Sequence, residues 1–132
     1  MKLKIIQITN RRVANQERLH MSVLADANLN YYAVFDTSFS GLGVVAIPKR
    51  AYWFTDHRVV AGDNVILYTG PGTSVVNKRA DGGSNHFFYW GLTTTLWQDP
   101  NSCAVLLEIS TWETSLRSAI ASFSQAIPPP PR

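Results

Sequence analysis

The sequence is short of charge, of cysteine and of long apolar runs, and each shortage excludes something. Charged residues make up 16% of the 132, while residues of the A, V, I, L, M, F, W, Y, C group reach 45%. Soluble chains carry roughly 25% charge, and disorder needs low apolar content, so this chain is expected to fold as one domain. Cys103 is the one cysteine, so no disulfide forms within the chain. Set in Asn101-Ser102-Cys103-Ala104-Val105, it reads as a small buried hydrophobe rather than a nucleophile. No stretch approaches the roughly 18 apolar residues needed to cross a bilayer. Met1-Lys2-Leu3-Lys4-Ile5-Ile6-Gln7-Ile8-Thr9 begins like an export signal, but Gln7 interrupts its apolar stretch, so it is expected to be a strand. A cytoplasmic protein without a membrane partner is the expectation.

Marks of catalysis are missing as well. His20, His57 and His86 stand far apart, with none of the close spacings that place two imidazoles on one face, and Cys103 has no second cysteine beside it. There is no Gly-x-Ser-x-Gly elbow and no carboxylate pair for glycoside chemistry. Gly41-Leu42-Gly43 and Gly70-Pro71-Gly72 lack the third glycine and following helix of a phosphate cradle and read as turns. Asp56-His57 beside Arg58 reads as a solvated turn. No catalytic residue, metal site or cofactor is therefore expected. A hydrolase with dispersed residues would need His57 or His86 beside a carboxylate, with a hydroxyl or metal in the same cleft.

Twelve Lys and Arg against nine Asp and Glu leave a formal charge of +3. The basic residues fall in scattered pairs, Arg11-Arg12, Lys49-Arg50 and Lys78-Arg79, rather than in the cationic stripe typical of a nucleic-acid binder. Four Trp, five Tyr and six Phe, 15 aromatics in all, favour a sheet-rich core or an aromatic binding face. Short branched and aromatic runs recur between Gly, Pro, Asn and Asp turns. They predict strands over Leu3 to Thr9, Arg18 to Ala25, Tyr31 to Phe35, Gly43 to Ile47, Arg50 to Phe54, Asn64 to Thr69, His86 to Trp90 and Ala104 to Ile109. Leu19, Met21 and Val23 alternate with His20 and Ser22 as on a half-buried strand. The run from Val65 to Thr69 has both faces covered, as in a central strand. Thr73 to Asn85, polar and glycine-containing, reads as the longest loop. Leu116, Ile120 and Phe123 lie on one helical face. Pro128 to Pro131 form an extended tail that serves either as a linker or as a docking segment.

The stretch from Val59 to Leu107 resembles the second half of a lamin-tail domain. The pieces that carry the likeness are Ala61-Gly62-Asp63, Leu67-Tyr68-Thr69-Gly70-Pro71-Gly72, Tyr89-Trp90-Gly91, Leu96-Trp97-Gln98-Asp99 and Ala104-Val105-Leu106-Leu107, in order and at fitting spacing. The first half departs from the family pattern: Leu24 to Tyr32 offers only a turn and aromatics. The resemblance implies an immunoglobulin-like sandwich that binds proteins, DNA or other ligands, without catalysis or cofactor. The expected fold is all-β, a sandwich of about 7 to 9 strands over residues 1–112, then a short amphipathic helix over 113–126 and a Pro-rich tail over 127–132. Tyr68, Trp90, Trp97 and Leu106 are the expected core. Lys78, Arg79, Asp81 and Asn85, in the Thr73 to Asn85 loop, are the expected contact surface for a protein partner or for self-association. The alternative is a barrel that binds single-stranded nucleic acid through exposed aromatics.

Overall fold

Chain alternation becomes strand after strand. The computed structural model describes residues 1–116, in which β1 (Leu3–Thr9), β2 (Arg18–Val23) and β3 (Ala27–Asn28) lead to a single 3-10 turn, Leu29–Tyr31. Then follow β4 (Tyr32–Ser40), β5 (Gly43–Val44), β6 (Arg50–Trp53), β7 (Arg58–Val59), β8 (Asn64–Tyr68), β9 (Val75–Lys78), β10 (Ser84–Tyr89) and β11 (Ser102–Glu108). The fold is all-β, and each of the eight predicted strands has its counterpart. Three strands were not foreseen, for a physical reason. β3 and β7 are two residues each and hold only one another, too short for any period to show. All four residues of β9 are exposed, so its faces carry no contrast. The segment from Thr73 to Asn85 is consequently a hairpin, not a loop.

The larger sheet has the order β1-β2-β8-β10-β9, antiparallel except for β8 and β10. That parallel pair arises because the chain leaves β8, runs to the sheet edge as β9, and returns as β10 between them. β4 is the centre of the second sheet, flanked by β11 on one side and by β5 and β6 on the other.

Both larger sheets feed one buried core. Leu19, Met21 and Leu67 come from the first, Tyr32 and Val34 from the second, and Phe54 and Trp97 from connecting segments. β8 lies between β2 and β10, which is why Val65 and Leu67 are buried on one face and Ile66 on the other. Phe54 meets Phe88 edge to face at 5.2 Å, Tyr52 meets Trp90 at 5.6 Å and Trp90 meets Trp97 at 6.4 Å. Of the four residues expected in the core, Trp97 is fully buried, and Trp90 and Leu106 are half-buried against the cluster. Tyr68 is corrected: as the alternate neighbour of Leu67 it falls on the outer face.

Glu17 closes the end of this core. Wholly buried, it accepts hydrogen bonds from the backbone N–H groups of Leu96 at 2.7 Å and of Trp97 and Arg12 at 3.1 Å. One carboxylate thus joins the turn after β1 to the segment before β11. Of the segment 113–126 expected as a helix, residues 113–116 are non-helical and 117–126 lie outside the described residues, as does the 127–132 tail.

Candidate functional site

The expected contact residues sit on the β9–β10 hairpin, and most are occupied within it. The Arg79 guanidinium donates to Asp81 at 3.2 Å, to the Ser84 carbonyl and Asn85 Oδ1 at 3.1 Å each, and to the Gly62 carbonyl at 2.7 Å. It fastens the hairpin to the turn before β8. Asp81 also accepts from the Gly83 N–H at 3.0 Å, and that bond, with Arg79, holds its carboxyl below the usual range. Asn85 Oδ1 is shared with the Asn64 amide at 3.0 Å. Lys78 projects from the exposed edge strand.

A chain of titratable groups, buried at Asp63 and His86 and half-buried at His57, joins residues that the sequence keeps apart. Asp63 Oδ2 lies 2.9 Å from His86 Nε2, and His86 Nδ1 lies 2.8 Å from His57 Nε2. A carboxylate only accepts, so His86 presents Nε2–H to Asp63 and its Nδ1 accepts from the Nε2–H of His57. Asp63 further accepts from the N–H groups of Val60 and Ser84, both at 3.0 Å. Burial raises the Asp63 carboxyl, but these two N–H bonds and His86 outweigh it and leave its pKa lowered. Burial, then the repulsion that two protonated rings in contact would suffer, lowers the His57 pKa against the opposing pull of Asp56. His57 is held in place by its backbone N–H to Asn28 Oδ1 at 3.1 Å.

The solvated-turn expectation for His57 is therefore corrected. Its spacing from His86 carries no signal, because the two meet only through the β3–β7 pairing and the insertion of β10 beside β8. Chemically the chain can hold and pass a proton. Its hydrogen bonds include no hydroxyl nucleophile, and among the described residues no group of three or more His, Cys, Asp or Glu could hold a metal. It reads first as a strut between three elements.

Aromatics form two further clusters. Tyr31, Trp53 and Trp112 are each about half exposed; Trp112 packs edge to face on Trp53 at 5.0 Å and on Tyr31 at 5.9 Å. Trp53 Nε1–H donates to the Asn30 carbonyl at 2.9 Å, which fixes the indole. Beside them an open cavity of about 350 Å³ is lined by Lys2, Asn28, Tyr31, Tyr32 and Glu108 among others. There Tyr32 donates to Glu108 at 2.5 Å, and burial together with that carboxylate pushes the phenol up to about 12. On the outer face of the larger sheet Tyr68 stacks on Tyr89 at 5.1 Å, Phe87 lies 6.4 Å away, and the Arg18 guanidinium stands 5.5 Å over the Tyr68 ring.

No family model, curated protein or solved structure matches the chain.

Proposed function

We propose that this chain is a noncatalytic interaction module, an immunoglobulin-like β-sandwich akin to a lamin-tail domain, that binds a protein partner through its loops and sheet surface. The likeness is supported by the way its motif pieces converge: Trp90 and Trp97 pack on each other, and Leu96 and Trp97 are buried beneath the sheets.

The observation that carries binding is the rigid aromatic cluster of Tyr31, Trp53 and Trp112. Tryptophan and tyrosine dominate the energetics of protein interfaces, because large rings bury much area with few rotatable bonds to freeze. Here they are pre-positioned by edge-to-face contacts and by the Trp53 hydrogen bond. The cluster, rather than the internally bonded Arg79 and Asp81, is the contact surface we favour. A Trp53→Ala, Trp112→Ala variant that keeps its melting temperature should lose partners that the parent chain retains from native-host extract, and lose any self-association seen by sedimentation equilibrium. Identical captured proteins and identical mass for both chains would sink the proposal.

A second reading has its own observation. The row Arg18, Tyr68, Tyr89 and Phe87 on one sheet face combines a cation with stacked rings, the elements of a single-stranded nucleic-acid platform. It requires oligonucleotide binding that weakens steeply with salt and is lost in Tyr89→Ala. Absence of a mobility shift at low salt eliminates it.

A further inference from the structure

The hairpin from Thr37 to Pro48 departs from what a surface turn ordinarily contains. Its 12 residues include no charged side chain, and every residue from Phe39 to Arg50 is exposed. Tips of β-hairpins favour Gly, Asn, Asp and Ser, which supply turn geometry and are readily solvated. Here Gly43 supplies the geometry at φ 119°, but the adjacent tip residue is Leu42, fully exposed at 102%. Ile47 at 80% and Val44 at 56%, with Phe39 and Val45, continue the apolar surface. Nothing among the described residues covers it.

The root of this tongue is firmly held. Val45 N–H donates to the Ser38 carbonyl, Thr37 Oγ1 to the Val45 carbonyl and Lys49 N–H to the Asp36 carbonyl, all at 2.8 Å. Phe39 N–H donates to the Asn101 carbonyl at 2.9 Å. Beyond Phe39 the tongue stands out by roughly 10 Å, at about 3.3 Å per residue. The apolar face of an interfacial amphipathic helix enters the headgroup and acyl boundary by about 5–10 Å, a comparable depth.

Two cations flank that root. Lys49 and Arg50 are exposed where the chain leaves it. Of the acids nearby, Asp36 is buried with Arg50 3.9 Å away, and Asp99 is turned onto the Asn101 N–H at 2.9 Å. An uncharged apolar tip beyond a cationic pair is complementary to one kind of surface, hydrocarbon behind an anionic headgroup layer.

The geometry points to peripheral docking of this chain on an anionic lipid bilayer, with Leu42, Val44, Ile47 and Phe39 entering the interface and Lys49 and Arg50 meeting the headgroups. This requires no spanning segment: among the described residues no helix is long and apolar enough to cross a membrane. Its apolar residues, from Phe39 to Ile47, lie on other elements than Tyr31, Trp53 and Trp112, so the two surfaces are tested separately.

The test is co-sedimentation of the full chain with vesicles of phosphatidylcholine alone and of phosphatidylcholine mixed with phosphatidylserine, after clearing protein that pellets without lipid. The parent chain should pellet with the mixed vesicles and far less with phosphatidylcholine, and added salt should release it. Leu42→Ser and Ile47→Ser alter only exposed side chains, so they should fold normally yet weaken vesicle binding about tenfold or more. Lys49→Glu should weaken it at low salt. Failure to pellet with either vesicle overturns the proposal, as does equal pelleting of parent and Leu42→Ser. If the parent instead forms a dimer that Leu42→Ser dissociates and ignores both vesicles, the tongue is a self-contact and the lipid proposal falls.

Discussion

Glu17→Ala should destabilise the fold by about 3–5 kcal/mol, because it strands two buried backbone N–H donors and removes a wholly buried side chain. The carboxylate is fully buried and accepts three backbone N–H groups, of which those of Leu96 and Trp97 are themselves buried. Alanine leaves these two donors unpaired, at about 1–3 kcal/mol each. Water can replace the third bond, to Arg12, because that turn is exposed. Removing the charge recovers its desolvation cost, while the lost methylene and carboxylate leave a void in the buried interior, and the two corrections oppose one another. For a domain of 132 residues, with unfolding entropy of about 2.1 cal/mol/K per residue, the loss lowers the melting temperature by about 11–18 °C. Glu17→Gln retains one acceptor oxygen but sets an amide NH₂ against the remaining donors, and should cost about 2 kcal/mol. Urea unfolding followed by tryptophan fluorescence measures all three chains. A Glu17→Ala loss below about 1 kcal/mol would refute the view that this carboxylate ties the turn after β1 to the Leu96-Trp97 segment.

Acid should weaken the fold in two stages. His57 has a lowered pKa, so its contribution is full above about 6.5 and is lost as pH falls below that through the folded value; Asp63, also lowered, contributes above about 3.8 and loses its part below. The urea midpoint should fall from pH 7.5 toward 5, with a shallower fall in His57→Gln, and a flat parent profile would contradict this. Trp97→Ala should cost about 3–5 kcal/mol as a core deletion. Trp97→Phe should cost less than half of that, because the indole Nε1 has no hydrogen-bond partner among the described residues; equal melting temperatures for parent and Trp97→Ala would refute the core role. At Gly72 an added Cβ would collide with the Tyr89 ring. Gly72→Ala should thus cost about 1–3 kcal/mol, and a double-mutant cycle with Tyr89→Ala should recover most of it; additive losses would argue against the collision.

Sequence by itself determined the strands that alternate or carry branched and aromatic runs. Leu19, Met21 and Val23 face the core because a period of two is a local property of extended backbone, and Val65 to Tyr68 announce a central strand because apolar residues fall on both faces. Trp97 was expected in the core through the family resemblance rather than from any local period, and it is buried there. Where side chains gave no contrast the reading failed. Val75 to Lys78 is exposed throughout and looks like loop, and Tyr68, aromatic but one residue out of phase with core-facing Val65 and Leu67, points to the opposite face. The tertiary structure alone decided which distant residues meet. His57 and His86 are joined only because β10 returns between β8 and β9, and the buried acceptor at Glu17 is defined by amides nearly eighty positions away. It also decided which apolar residues stay in water: Leu42 and Leu67 are the same amino acid, and only the packing of the sheets separates an exposed tip from the centre of the core. Local periodicity is written in neighbouring residues, whereas partners and exposure depend on chain crossings that no local pattern records.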